Sequence, residues 1–156
     1  MTDVTPNRFV RSVASVLALD LGEQFASMNR EDSKMSKYIR ANMIHSTAYI
    51  HQAADVDENS SIGRGAYIGR SASVAEGASI GKGATIDDGA TILDGAIIDD
   101  GATVRSGAVV QHGAHIGAGA HIGAGAIVGT NCFVAHGAIV PTDCELLPGS
   151  AWPVTD

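Results

Sequence analysis

Aliphatic residues recur six apart along most of the chain. The series runs from Ile44 through Ile50, Val56, Ile62, Ile68 and Val74 to Val134, Val140, Leu146 and, in its last slot, Trp152. From Ile50 onward a small residue stands two positions earlier: Ala48, Ala54, Ser60, Ala66, and so on to Cys132, Ala138, Cys144 and Ser150. Small and aliphatic, two apart, is a short strand showing two side chains to one face. Three residues after each aliphatic, twelve of eighteen positions are Gly, and Asn59, Asn131 and Asp143 occupy others. These residue types enter left-handed backbone most readily. Each six-residue unit is therefore a strand and a sharp corner. A period of six is neither helical nor simple strand alternation, and it predicts a solenoid.

Units such as Ile80-Gly81-Lys82-Gly83-Ala84-Thr85 and Ile116-Gly117-Ala118-Gly119-Ala120-His121 resemble the hexapeptide-repeat family. That resemblance implies an all-β solenoid, a left-handed parallel β-helix of triangular section with three units per turn, assembled as a homotrimer. An 18-residue turn gives about six turns, and at ~4.8 Å per strand step a length of roughly 29 Å. It also stacks Val56, Val74, Ile92, Val110, Val128 and Leu146 in one internal ladder. Outward strand positions are mostly polar early on (Asp55, Ser61, Ser73, Ser79, Thr85, Thr91). They turn apolar later (Ile97, Val109, Ile127, Phe133, Ile139). Exposed apolar rows on so small a solenoid mark an interface, read here as trimer contacts.

Residues 1–43 keep a different rhythm. Thr5-Pro6 is a capping hydroxyl followed by proline at a first helical position. Phe9, Val13, Val16, Leu17, Leu21, Phe25 and Met28 then follow at helical spacing. A second short helix is expected from Asp32 or Ser33, presenting Met35, Tyr38 and Ile39. The expected organisation is a helical segment, 1–43, and a β-helix, 44–156. The helix would pack on the solenoid's open end, its flank or a neighbouring subunit.

Charge separates the same two regions. The net charge is −7, yet residues 1–43 carry six Lys/Arg against five acids, while the remainder carries four against twelve. An acidic solenoid argues against nucleic acid and anionic membrane as partners. Cys132 and Cys144 both occupy small-residue slots and are expected to be buried, reduced thiols. No apolar run approaches the ~20 residues of a membrane span. No convincing cleavage site follows Val13–Leu19, so the cytoplasm is the expected location.

Four of the six histidines fall within His112–His136. The repeat puts His112 and His136 at corners, and His115 and His121 on outward strand faces, because the inward slots are taken. Glu58, Glu76 and Asp94 lie 18 apart and should stack along one edge that leads to His112. Imidazole is the usual base when a hydroxyl or amine must lose a proton near neutral pH.

Val109-Val110-Gln111-His112-Gly113-Ala114-His115-Ile116-Gly117, followed by His121-Ile122, resembles the acetyl-CoA-dependent sugar N- and O-acetyltransferases of the bacillosamine and sialic-acid type. The resemblance implies His112 as general base and His121 as a ligand-contacting histidine; His136, of the same histidine cluster, is a further binding candidate. It also implies acetyl-CoA as co-substrate and a small polar acceptor, a sugar amine or hydroxyl. Gly113 and Ala114 stand where that branch carries an acid and a cysteine. Histidine spacings of 112, 115, 121 and 136 do not match the zinc-binding hexapeptide pattern, so no metal is expected. The alternative is a non-catalytic trimeric solenoid serving as scaffold or oligomerisation module. The unbroken six-residue register favours it, since active sites usually interrupt such a pattern.

Overall fold

The computed structural model describes residues 43–153. The helices expected within residues 1–43 lie outside the described residues. What is described is a parallel β-solenoid of about six 18-residue turns, built from two-residue strands running from Tyr49–Ile50 to Ala151–Trp152. The strands form three six-stranded sheets. The first face stacks Tyr49–Ile50, Tyr67–Ile68, Thr85–Ile86, Thr103–Val104, His121–Ile122 and Ile139–Val140. The second runs from Asp55–Val56 to Glu145–Leu146, and the third from Ser61–Ile62 to Ala151–Trp152. Every pairing is parallel with an offset of 18, as in Thr103↔His121 and His115↔Phe133.

The periodic aliphatics and small residues fill the prism. Ile86, Ile92, Val104, Val110, Ile116 and Ile122 are wholly buried, with Ala84, Ala90, Ala102 and Ala114 between them. Fully burying one such aliphatic contributes about 1.5–3 kcal/mol. Ser60, in a small-residue slot, is the buried polar side chain of the described core; its hydroxyl donates to the Asp57 carbonyl at 2.7 Å. Cys132 is buried as expected, but Cys144 is only partly so. Both are free thiols.

The corners show how the stack closes. All twelve glycines three residues past an aliphatic have positive φ, as do Ser71, Asn131 and Asp143. The N–H of such a residue donates to a carbonyl one coil earlier, as from Gly83 to Arg64 at 2.9 Å and from Gly113 to Asp94 at 3.1 Å. Among the described residues no coil precedes the first to accept these bonds. There Thr47 N–H donates to His45 Nδ1 at 3.2 Å, Ala53 N–H to His51 Nδ1 at 3.0 Å, and Asn59 N–H to Asp57 Oδ1 at 2.8 Å. Asn59 was expected in the left-handed region and is not there. A side-chain acceptor two residues back supplies the turn instead, so the left-handed conformation is not needed. At the other end the Trp152 indole N–H donates to the Ile139 carbonyl at 2.8 Å.

Candidate functional site

The three faces and three corners assign each histidine a place. His112 occupies the corner between the second and third faces, directly above Asp94 in the preceding coil. Its Nδ1 lies 3.8 Å from Asp94 Oδ2, and the two side chains are 57% and 61% exposed. At that exposure the pair adds little stability. It does hold a carboxylate beside one ring nitrogen of a solvent-facing imidazole, and the ring makes no other polar contact among the described residues. The neighbouring Gln111 is fixed: its Oε1 accepts from Thr130 N–H at 3.1 Å and from the Thr130 hydroxyl at 3.2 Å.

His115 projects from the third face and is half-buried. Its Nε2 is 2.8 Å from Asp99 Oδ2, and its ring meets Phe133 edge-on with centroids 5.3 Å apart. Sequence reasoning placed His115 on an outward face but did not pair it. The signal lies in the register. Ile98 pairs with Ile116, so Asp99 sits beside Gly117, and a glycine there leaves its carboxylate free to reach back to His115.

His121 projects from the first face into an open depression of about 290 Å³, shared with Arg105, Ile139, Pro141 and Thr142 and floored by Gly123 and Ala124. Its ring has no hydrogen-bond partner among the described residues. Arg105 was also missed as a site residue, although it lies two residues beyond Thr103, the register partner of His121. His136 is exposed at the corner between the third and first faces, its backbone close over Gly117. A Cβ on Gly117 would stand 2.6 Å from His136 N, so this coil spacing requires glycine.

The structure thus groups His112 with Asp94, His115 with Asp99 and Phe133, and His121 with Arg105. It does not gather His112, His121 and His136. His112 and His136 take opposite corners of the third face, His121 lies on the first, and no hydrogen bond or ring contact joins them among the described residues. Nor, among those residues, do three His, Cys, Asp or Glu side chains converge as a metal site. Among the described residues no helix is long and apolar enough to cross a membrane.

Apolar exposure follows the predicted shift in texture. Ile97 and Phe133 stand out from the third face and Ile139 from the first. Near the N-terminal end Tyr49 and Tyr67 are also exposed, their rings stacked at 5.3 Å and 4° apart. Partial burial raises the Tyr67 phenol above its ordinary value. Asp88, Tyr49 and Asp87 add to the effect and Arg70 opposes it.

Comparison with known proteins agrees on architecture. The sequence profile of the GMPPB C-terminal domain family matches residues 38–151. No curated protein matches the chain in sequence. Among solved structures, the acetyltransferase domain of PglB from Neisseria gonorrhoeae, in complex with acetyl coenzyme A, is similar at 22% identity and a TM-score of 0.61. The match covers 81% of this chain and 65% of that one. A serine acetyltransferase in complex with cysteine is similar at 18% identity and a TM-score of 0.50, over 90% of this chain and 49% of that one. Identities this low speak to the fold, which both acetyltransferases share with this chain. The chain spans less than two thirds of either neighbour's length.

Proposed function

The chain belongs to the GMPPB C-terminal domain family, and on that premise we propose that its second half works as a CoA-dependent acyltransferase on a small polar acceptor, a sugar amine or hydroxyl. The family name denotes a domain, so the reaction has to be argued from side chains. The observation that carries it is His112 with Asp94 Oδ2 3.8 Å from its Nδ1. The acetyltransferase pattern that this stretch resembles has an acid immediately after the histidine. Here that position is Gly113, and the carboxylate comes from the coil below. With the carboxylate on the Nδ1 side, Nε2 is the ring nitrogen left to take the acceptor's proton.

The step is direct transfer. The acceptor's nitrogen or oxygen attacks the thioester carbonyl carbon while His112 takes its proton. The tetrahedral adduct collapses, the carbon–sulfur bond breaks, and the CoA thiolate leaves and recovers that proton. No acyl-enzyme forms. Acetyl-CoA is the donor of choice because the PglB domain, which shares this fold, binds it. His121 and His136 are assigned to ligand contact. They lie on other surfaces than His112, so the complete site is formed between subunits of a homotrimer. The exposed Ile97, Phe133 and Ile139 provide apolar surface for that assembly.

One observation favours a non-catalytic trimeric scaffold instead: through the described coils no loop interrupts the six-residue register to wall an acceptor pocket. Calorimetry with acetyl-CoA on the wild type and His112→Ala, alongside thiol release with sugar amines, separates the two. Binding by both proteins with turnover only in the wild type supports the transferase. Absence of acetyl-CoA binding to either leaves the scaffold.

A further inference from the structure

We propose that the depression between Arg105, His121 and Thr142 is an anion subsite that takes the phosphate group of a small molecule. This deepens the reading of His121 as a ligand-contacting residue. Arg105 is one of only four Lys/Arg in residues 44–156, and the other three lie earlier, at Arg64, Arg70 and Lys82. It faces the depression together with His121. Neither side chain has a hydrogen bond or ion pair with any group among the described residues. Asp87 lies one coil below Arg105 in the same column, yet no ion pair joins them. A guanidinium and an imidazole left unpaired around one concavity, with the Thr142 hydroxyl at its rim, are donors without an acceptor. That arrangement suits a phosphate, whose oxygens take several donors at once.

The backbone of the same corner is compatible with the inference. Earlier in this column the Arg70 N–H donates to Asp88 Oδ1 of the next coil at 2.8 Å. At the neighbouring corner the Lys82 N–H donates to Asp100 Oδ1 at 2.7 Å. A corner amide of this kind can therefore donate to an anionic oxygen from above. Ala124 is the Arg70 counterpart in the coil of His121, and the residue above it is Thr142 rather than an acid. Its N–H has no acceptor among the described residues, and Ala124 lines the depression. Asp88 and Ser106 of the same column likewise have no carboxylate above them, so what sets this depression apart is the pair of unpaired donors, Arg105 and His121.

The test is phosphorus NMR or calorimetric titration of the full chain with inorganic phosphate, for the wild type, Arg105→Gln, His121→Asn and a Lys82→Gln control. Saturable binding is expected in the wild type, weakened at least tenfold in Arg105→Gln, severalfold in His121→Asn, and unchanged in Lys82→Gln. Lack of saturable binding, or equal binding by wild type and Arg105→Gln, overturns the proposal. Competition then identifies the phosphate's source. Displacement by CoA but not dephospho-CoA assigns it to the donor, and displacement by a hexose phosphate assigns it to the acceptor. Phosphate binding without acetyl transfer rejects the transferase reading alone. Transfer without phosphate binding rejects the subsite alone.

Discussion

The two halves of the solenoid share one core and differ almost entirely outside it. Ile86 in the third coil and Ile122 in the fifth are both fully buried, each preceded by a fully buried alanine two residues back. Outward, the early coils show Asp55, Ser61, Ser73, Ser79 and Thr85, and the later ones show Val109, His115, His121, Ile127 and Phe133. Folding accounts for the shared interior and places no such demand on the exterior. The change of outward residues is therefore the part of the chain that reports on function. Histidine shows the contrast within a single residue type: His45 and His51 serve as turn acceptors for the first coil, whereas the His112 and His121 rings face outward with their proton-accepting atoms uncommitted to backbone.

The largest effect should separate those histidine roles. His112→Ala is expected to lower kcat/KM for acetyl transfer by about 10²–10⁴, the usual contribution of a positioned general base, with thermal stability unchanged. Asp94→Asn should fall in between, since it keeps the shape and removes the charge beside Nδ1. His51→Ala should leave kcat/KM as it is. If His51→Ala and His112→Ala reduce turnover alike, the division between scaffold and working histidines fails.

Next in size is a test of the shared core. Ile86→Ala and Ile122→Ala should each cost about 2–5 kcal/mol, the range for buried aliphatic truncation. The two costs should agree closely, because the sites have the same burial and the same alanine neighbours. Denaturant unfolding at one fixed protein concentration measures both. A much larger cost for Ile122→Ala would mean that the later coils carry stability the early ones lack, and the halves would no longer share an equivalent interior.

How much of this was legible in the sequence divides along the same line. The core and corners could be read residue by residue because one six-residue rule governs them all. The column from Asp94 to His112 was legible too, since three units per turn fixes an 18-residue step. The His115–Asp99 pair was not. It runs diagonally between adjacent coils and depends on what is missing at Gly117. The depression beside Arg105 was hidden for a similar reason, because its lining is drawn from three successive coils, from Arg105 through His121 to Thr142. The first-coil caps were invisible because periodicity describes the repeat and not its boundary. Among the described residues no coil precedes this one, and His45, His51 and Asp57 take the acceptor role there.

That boundary gives a smaller prediction. His51→Ala removes the acceptor of the Ala53 N–H and should cost about 0.5–1.5 kcal/mol at most, near the lower end because the site is open to water. Amide exchange at Ala53 should speed up while exchange at Gly95, bonded to the Glu76 carbonyl, stays slow. Equal acceleration at both amides would show that the end coil and the interior coils do not differ in this way.

The smallest effect belongs to Tyr67. Its phenol ionises above the ordinary tyrosine value of 10.0, chiefly through partial burial, then through Asp88, Tyr49 and Asp87, with Arg70 opposing. A group whose folded-state value is raised favours the protonated form on folding. Its contribution is complete below the unfolded value near 10 and is lost as pH climbs through the folded one. The ring is 38% exposed, so solvent screens the effect and the loss is slight. Tyr67→Phe should therefore show a smaller fall in Tm between pH 8 and pH 11 than the wild type. Arg70→Gln should move the Tyr67 titration higher still, because it removes a positive charge that favours the phenolate. An identical alkaline fall in wild type and Tyr67→Phe would show that this phenol contributes nothing to the polar half's response to pH.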